Sequence, residues 1–286
     1  MPPGCEILLP VRDYDLDATM TSGQVFAWAR YENGWGGVLD RRWVKLESSS
    51  DGIRATTNEP QPNWLWLTGF LQSDVNLNEV LATFPANDPH LHTALATCRG
   101  LRLLRQDPWE CLASFILSST KQIAQIRQIV RLLCERHGEP VRAPAGQNPA
   151  FTFPTVARIA SLTETELRTC KMGFRAKYLL SAARRVTMGE LALEAIRQMP
   201  LEAARDELMK LPGVGEKIAD CVLLFAYGFP AAFPVDVWVT RALSEFYFRG
   251  RRTRPEQLRR FASRHFGPNS GYAQQYLFHH IRTKRG

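Results

Sequence analysis

The stretch LPGVGEKIADCVLL, residues 211–224, decides the fold because a tight turn in it opens directly into an apolar run. Pro212, Gly213 and Gly215 allow a sharp change of chain direction, and the backbone N–H groups of such a turn face outward at the start of the next helix. N–H groups in that position suit a phosphate oxygen. Lys217 lies two residues after the second glycine, a basic side chain in a run that otherwise favours burial.

The residues on both sides of the turn predict two helices, so the region of about 204–226 is expected to form a helix–hairpin–helix. Asp236 follows 19 positions after Lys217, in the stretch FPVDVWVTRAL. Pro234 interrupts regular structure there and leaves Asp236 well placed to cap the next helix. The turn, the lysine and the aspartate together are a more specific signal than a Gly-x-Gly turn alone.

A lysine and an aspartate in this pattern indicate nucleophilic catalysis. An amine attacks carbon only in its neutral form, and burial and the positive end of a helix both disfavour the ammonium. A nearby carboxylate has the opposite effect, because its negative charge stabilises the ammonium form. We therefore expect Asp236 either to be engaged by its helix-capping hydrogen bond or to be held away from Lys217. For each residue alone the simpler interpretation, a surface lysine or a helix cap, stays open.

Composition narrows the class of partner. The 286 residues suffice for two or three packed domains, and 45% hydrophobic and 22% charged residues are typical of a globular protein. The net charge of +8 favours a polyanion such as nucleic acid, although many basic proteins bind none. Neither a membrane-spanning run nor a secretory signal is recognisable. The six cysteines form no C-x-x-C pair, so we expect neither zinc nor an iron–sulfur cluster. We expect the cysteines to be reduced thiols.

The pattern of apolar residues changes along the chain. Residues 1 to about 58 contain β-forming runs, with Asn33-Gly34 as a hairpin turn, and a helical pattern begins at about residue 64. We predict an α+β fold in which an N-terminal antiparallel β-sheet domain packs on a mostly α-helical body. Residues 1–95 are assigned to the sheet domain with a linking helix, and residues 96–286 to the helical domain.

Punctuating residues divide the helical part. The polar residues 118–122 predict a break between two helices, and 139–154 is predicted to be a proline-rich loop. Thr163 and Glu166 have the spacing of a capping box, and Gly189 is expected to end a further helix.

Five stretches of the chain carry a family resemblance, in the family's order: SGQVFAWAR, RLLRQDPWECLASFILSS, GFRAKYL, the central stretch with PVDVWV, and GYAQQYLF. They resemble the helix–hairpin–helix–Gly/Pro–Asp DNA glycosylases, and most of all the 8-oxoguanine DNA glycosylase/AP lyases of the eukaryotic type, which also have bacterial members. The resemblance implies DNA base-excision repair by a DNA N-glycosylase with AP lyase activity. Lys217 would attack C1′ and form a Schiff base, and Asp236 would stabilise positive charge on the sugar.

The resemblance also implies a base pocket, because chemistry on a base requires its extrusion from the duplex. The Gly23 carbonyl would accept the N7–H that 8-oxoguanine has and guanine lacks. Gln274 would recognise the Watson–Crick edge, Phe278 would stack on the base, and Cys221 would lie beside Lys217. Gln274 and Phe278 are four residues apart on a predicted helix, so both can face one wall.

Residues that would fill the vacated space in the duplex depart from the family pattern. Phe174 matches an aromatic wedge that is usually tyrosine, and Arg175 matches an arginine that bonds the orphaned cytosine. Thr120 replaces the asparagine that fills the space, and Gln125 replaces a second cytosine-reading arginine. We therefore expect a looser preference for the opposite base than in the eukaryotic enzymes.

Further contacts follow from the resemblance. Gly213 and Gly215 would bind DNA phosphate, with Trp238 at a family histidine position. A structural K+ or Na+ ion, without a catalytic role, would bind the hairpin carbonyls of Met209, Leu211 and Val214. No other cofactor is implied. The expected protein is a monomer that binds double-stranded DNA containing 8-oxoguanine and no membrane, in the nucleoid region of a bacterial cytoplasm or, in a eukaryote, in the nucleus.

Two other functions stay open at this point. One is a monofunctional glycosylase for alkylated or other damaged purines, against which Lys217 argues, since such enzymes use water alone. The other is a non-catalytic helix–hairpin–helix module that binds DNA phosphates. Lys217 and Asp236 together argue against the module, because backbone contacts need neither side chain.

Overall fold

The computed structural model of the chain describes residues 4–31, 33–144 and 147–285. Within these ranges the strands are β1 Glu6–Pro10, β2 Ala29–Tyr31, β3 Gly34–Leu39, β4 Arg42–Ser49, β5 Gly52–Thr57, β6 Pro140–Val141 and β7 Ala150–Phe151. The helices are α1 Leu16–Thr21, α2 Leu65–Leu71, α3 Leu77–Leu81, α4 Pro89–Thr97, α5 Pro108–Leu117, α6 Ile123–His137, α7 Val156–Ala160, α8 Glu164–Arg168, α9 Arg175–Thr187, α10 Leu193–Ile196, α11 Leu201–Met209, α12 Glu216–Val222, α13 Val237–Tyr247, α14 Pro255–Phe266 and α15 Ser270–Arg285.

The N-terminal strands form one antiparallel sheet in the order β1-β5-β4-β3-β2. Alternate residues of the sheet point into an apolar layer with α2, whose members include Trp35, Leu46, Ile53 and Phe70. The predicted hairpin exists as the β2–β3 pair, but Gly34 belongs to β3 and lies opposite Tyr31, so the predicted turn position at Asn33-Gly34 is wrong by one residue; Glu32 lies outside the described residues. The predicted α+β architecture is confirmed; the domain boundary at residue 95 stays a prediction.

A buried glutamine attaches the segment after α1 to the rest of the molecule. The Gln24 amide donates to the carbonyl of Arg102 at 2.8 Å and accepts from the N–H of Leu104 at 2.8 Å. The Gln106 amide donates to the Gln24 carbonyl at 2.7 Å. Because these bonds satisfy both ends of a fully buried amide, they fix the backbone on either side of Gln24, including Gly23.

The helical body follows the predicted punctuation. The break at 118–122 separates α5 from α6, Thr163 and Glu166 form a capping box at the start of α8, and Gly189 lies just beyond α9 with φ +76°. The loop predicted over 139–154 holds in addition the short β6–β7 ladder, in which Val141 pairs with Ala150. Such a two-residue ladder has too little periodicity to be recognised in a sequence. Ala145 and Gly146 of this loop lie outside the described residues.

The central helix–hairpin–helix consists of α11, the turn 210–215 and α12. A π-helical segment, Leu223–Tyr227, prolongs α12 and ends at Gly228, which has φ +75°. An ion pair joins the two helices below the turn: Arg205 Nε lies 2.7 Å from Asp220 Oδ1, and the Asp220 side chain is fully buried. Among the described helices, none is both long and apolar enough to cross a membrane.

Candidate active site

Lys217 lies in the first turn of α12, half-buried against the end of α5. Its Nζ donates to the hydroxyl of Ser118 at 3.4 Å and lies 5.1 Å from the ring centroid of Phe115. The Ser118 hydroxyl in turn donates to the Phe115 carbonyl at 2.7 Å, which fixes its lone pairs toward the amine. The nitrogen that the sequence predicts as a nucleophile is thus held at a defined position.

Asp236 caps α13 as predicted. Its Oδ1 accepts the N–H of Val239 at 2.8 Å. No direct ion pair joins Asp236 to Lys217, both within the described part of the chain, although the ammonium acts on the carboxyl at longer range. Burial raises the pKa of Asp236, and the capping N–H and Lys217 oppose that shift without cancelling it. The carboxylate is therefore engaged by the helix and makes no direct ion pair with the lysine, as the sequence predicts.

Cys221 lies one helical turn after Lys217 and is 3% exposed. Burial raises the pKa of its thiol to about 12, and the Lys217 charge opposes the shift. The thiol is therefore neutral at pH 7 and adds a small apolar wall beside the amine.

Gly23 and Phe278 meet although they lie at opposite ends of the chain. A Cβ placed on Gly23 would lie 3.4 Å from Phe278 Cε1 and 2.9 Å from Ile123 Cδ1, and Gly23 has φ +77°. The Gln275 amide donates to the Ser22 carbonyl at 2.9 Å and holds α15 against this segment. The positive φ favours glycine here, and a Cβ would in addition require the end of the Ile123 side chain to shift.

Gln274 carries an unsatisfied acceptor. The side chain is 4% exposed, and its Oε1 has no hydrogen-bond partner among the described residues. A buried acceptor without a partner costs free energy, on the order of 1–3 kcal/mol, unless a ligand supplies the donor. Gln274, Phe278 and Arg282 follow one another at four-residue spacing on α15, and the Arg282 guanidinium lies 5.4 Å from the Phe278 ring centroid. Arg282 also interacts electrostatically with Asp236, so it connects α15 to the carboxylate that caps α13.

Phe174 and Arg175 begin α9 in contrasting environments. The Phe174 side chain is 49% exposed, an unusual state for a large aromatic residue. Arg175 is 3% exposed: its Nε donates to the Ser119 carbonyl at 2.8 Å, and its Nη2 to the Thr120 hydroxyl at 2.6 Å. The aromatic ring is available to another molecule, whereas the guanidinium is engaged within the chain.

The hairpin turn packs on α9. A Cβ on Gly213, which has φ +84°, would lie 2.6 Å from Cγ of Tyr178, so the turn sits directly on that ring. The Phe174 ring contacts Tyr178 edge-on, with centroids 6.2 Å apart. The exposed aromatic residue and the glycine turn therefore form one continuous surface. Gly215, the N-cap of α12, is exposed beside it.

Two of the three hairpin carbonyls that were predicted to hold a cation have no hydrogen-bond partner among the described residues. Leu211 accepts the N–H of Val214 at 3.1 Å, while the carbonyls of Met209 and Val214 accept no hydrogen bond within the described residues. Hard oxygen donors of this kind suit a monovalent cation.

Trp238, in the first turn of α13, lies 5.3 Å from the Arg241 guanidinium in a cation–π contact.

Two family models match the chain. Residues 6–112 match the N-terminal domain of 8-oxoguanine DNA glycosylase, and residues 113–268 match the HhH-GPD superfamily of base excision DNA repair proteins. The chain belongs to this superfamily.

Known proteins are similar over nearly the full length. A probable N-glycosylase/DNA lyase of Methanothermobacter thermautotrophicus is 30% identical, with 96% of this chain and 95% of that protein covered. The structure of MBOgg1 with a low-affinity DNA ligand matches with a TM-score of 0.94 at 31% identity, covering 100% and 98% of the two chains. The 8-oxoguanine glycosylase/lyase of Clostridium acetobutylicum, in complex with double-stranded DNA containing cytosine opposite 8-oxoguanine, matches with a TM-score of 0.89 at 30% identity, covering 98% and 99%.

The superfamily fold brings most of the predicted residues into three groups. Lys217, Cys221 and Asp236 form the first group and Gly23, Gln274 and Phe278 the second. The third group is at the hairpin: its exposed members are Gly213, Gly215, Phe174 and Thr120, and Arg175 is buried against Thr120. Gln125 belongs to none of them, because its side chain accepts the Gln122 N–H at the start of α6.

Three residues of the site were not predicted from the sequence. Ser118 and Phe115 precede Lys217 by about a hundred positions, and no local pattern pairs them with it. Arg282 had a usable signal, since it continues the four-residue spacing of Gln274 and Phe278.

A cavity of about 1140 Å³ lies elsewhere, between the sheet and α6. Its walls include Trp28, Trp35, Glu110, Arg127 and Phe151. Burial raises the pKa of Glu110 to about 8. None of the predicted catalytic or base-pocket residues lines it. Phe26 is shared between this cavity and the site, because its ring contacts Phe115 edge-on with centroids 5.5 Å apart.

Proposed function

We propose that the chain is an 8-oxoguanine DNA N-glycosylase and AP lyase of base-excision repair. The observation that carries the proposal is the position of Lys217 Nζ, held by the Ser118 hydroxyl at 3.4 Å and free of a direct ion pair with the capped Asp236. A phosphate-binding module needs no such amine, and a glycosylase that activates water needs no lysine there.

The first chemical step forms a covalent enzyme–DNA bond. The lone pair of neutral Lys217 Nζ bonds to C1′ as the N-glycosidic bond breaks, and the base leaves with the bonding electrons and takes up a proton. Positive charge develops on the sugar in this step, and the Asp236 carboxylate stabilises it electrostatically. Loss of the amine proton and opening of the sugar ring give the Schiff base.

The second step breaks the strand. A base removes a proton from C2′, the electrons form the C2′–C3′ double bond, and the 3′ phosphate leaves. Water then hydrolyses the Schiff base and restores the Lys217 amine. Ser118, as a hydrogen-bond acceptor at 3.4 Å, keeps the nitrogen oriented through both steps.

Recognition of the lesion follows from the pocket. The Gly23 carbonyl accepts the N7–H of 8-oxoguanine, the unsatisfied Gln274 Oε1 accepts a donor from the Watson–Crick edge, and Phe278 stacks on the base. Guanine would leave the Gly23 acceptor unpaired, at a cost of about 1–3 kcal/mol.

The hairpin binds the DNA backbone in this proposal. The N–H groups at Gly213 and Gly215 donate hydrogen bonds to a phosphate oxygen. Phe174 enters the space that the extruded nucleotide leaves. The carbonyls of Met209, Leu211 and Val214 hold K+ or Na+, which neutralises phosphate and takes no part in catalysis. The protein acts as a monomer.

Borohydride trapping on a duplex with 8-oxoguanine tests the proposal. Borohydride reduces the Schiff base to a stable adduct, which we expect with the native chain and not with Lys217→Gln. Lys210→Gln is the matched control, because Lys210 lies on the same hairpin, is exposed and forms a surface ion pair with Glu207. An adduct of unchanged yield in Lys217→Gln, or base release without any adduct in the native chain, would contradict the assignment.

A further inference from the structure

One short segment holds most of the chain's net charge. Residues 249–264, RGRRTRPEQLRRFASR, contain seven arginines and one glutamate, a net charge of +6 out of +8 for the whole chain. Surface charges of both signs are usually interspersed, so a concentration of one sign points to an oppositely charged partner. The arginines that are exposed are Arg249, Arg251, Arg252, Arg254, Arg260 and Arg264.

The arginine segment, residues 249–264, packs on aromatic side chains that hold its backbone in place. Arg249 and Gly250 have φ +51° and +74°, which reverses the chain after α13. The Phe248 ring contacts Phe261 of α14, with centroids 5.2 Å apart, and Phe261 stacks on His265 at 4.8 Å. Because an aromatic cluster fixes both ends of the turn, the guanidinium groups start from a defined backbone, and little ordering of the backbone is required on binding.

The arginine segment also adjoins the hairpin. Arg259 Nη2 lies 2.7 Å from Glu216 Oε1, and Glu216 is the residue after Gly215, the N-cap of α12. The first half of α14 therefore flanks the turn that is proposed to bind a phosphate. A duplex on the hairpin that continues along this edge would next meet α14 and the arginines before it.

We propose that the arginine segment 249–264 is a second DNA contact, which binds backbone phosphates of the duplex beside the lesion. It rests on the proposed function, since the hairpin must first place the duplex. Guanidinium groups bind phosphate in a bidentate manner and independently of base sequence. Helix α13 has 11 residues and is about 16 Å long, so the arginine turn at its far end lies about 16 Å from Asp236, a distance equal to the rise of about five base pairs.

The test compares two triple variants with the same reduction of positive charge. Arg251→Ala, Arg252→Ala and Arg254→Ala remove three exposed arginines of the segment. The control removes Arg41, Arg54 and Arg99, whose side chains are 67%, 50% and 70% exposed in surface ion pairs elsewhere. The probe is a duplex with an uncleavable tetrahydrofuran abasic-site analogue, with Kd measured over a salt series.

We expect the slope of log Kd against log salt to fall by about 0.9 for each phosphate that the variant no longer neutralises. For lines of log Kd that meet at 1 M salt, the variant then binds at 0.1 M salt about eightfold more weakly than the native chain when one phosphate contact is lost, and about 500-fold more weakly when three are lost. The corresponding triple arginine-to-lysine variant keeps the charge and should keep most of the slope. Shortening one arm of the duplex to fewer than about five base pairs should weaken binding by the native chain but not by the alanine variant.

Equal salt slopes in the two alanine variants would overturn the proposal, as would equal sensitivity of the native chain and the segment variant to arm length. The proposed function fails separately, since it requires borohydride trapping of the native chain on the 8-oxoguanine duplex. Trapping with equal salt slopes would retain the glycosylase and remove only the second contact.

Discussion

Replacing Gly23 by alanine should separate recognition of the base from chemistry on the sugar. The new methyl group would lie 2.9 Å from Ile123 Cδ1 and 3.4 Å from Phe278 Cε1, on a backbone with φ +77°. The left-handed conformation costs a non-glycine residue about 1–2 kcal/mol. The Ile123 side chain can move aside at its end, but the Phe278 ring and the Gly23 carbonyl are the two groups proposed to contact the base.

The expected decrease follows from the hydrogen bond that the carbonyl makes. Displacing the Gly23 carbonyl removes one buried bond to N7–H, about 1–3 kcal/mol, which corresponds to about 5- to 150-fold in kcat/KM for excision. Cleavage of a duplex that already contains an abasic site should stay at the native rate, because no base occupies the pocket.

Single-turnover excision and abasic-site cleavage, measured side by side, test this expectation. Gly189→Ala is the matched control: Gly189 has φ +76°, and a Cβ there meets nothing within 4 Å. It should suffer the same backbone strain without a steric contact, and excision should not change. The expectation is refuted if Gly23→Ala excises as fast as Gly189→Ala, or if abasic-site cleavage falls in parallel with excision.

Three further results are expected. Burial raises the pKa of Asp236 in the folded chain above its value in the unfolded chain. The contribution of this group to the stability of the fold is therefore fully present at a pH below the unfolded-state pKa, and it is lost as the pH rises through the folded-state pKa. Asp236→Asn, which keeps a good helix cap, should therefore gain Tm over the native chain at pH 7 and lose that gain toward pH 3; a constant difference would contradict this. Phe174→Ala should leave the free energy of unfolding within about 0.5 kcal/mol of the native value and slow excision by about 5- to 150-fold, the value of about 1–3 kcal/mol of base stacking, whereas the similarly exposed Met188→Ala control should change neither. Excision opposite C, A, G and T should differ by less than about tenfold, since the guanidinium that would supply about 1–3 kcal/mol of discrimination is engaged by Ser119 and Thr120; strong preference for C alone would refute it.

The sequence predicted the parts of the site that local chemistry specifies. A glycine turn before Lys217 and a proline before Asp236 determine a helix start and a helix cap within a few residues, and both exist as predicted. The order of five motifs along the chain identified the family and, with it, the fold. These signals depend on neighbours in the chain, so a sequence displays them directly.

The sequence did not reveal contacts between distant segments. The pairing of Ser118 with Lys217 depends on how α5 and α12 pack, and no residue pattern encodes that distance. Arg175 is basic and follows an exposed turn in the sequence, yet it is buried because the carbonyl of Ser119 and the hydroxyl of Thr120 satisfy its guanidinium. Which side chains are satisfied internally is a property of the packed molecule.

The hydrogen bond between Gln275 and Ser22 spans 253 positions of the chain. During synthesis, the hairpin with Lys217 and the helix capped by Asp236 are made before α15. The segment around Gly23 is made early, but it can contact Gln275 only after α15 has been added, 253 positions later. Completion of the proposed base pocket therefore depends on a contact of very long sequence separation, which is slow to form in folding.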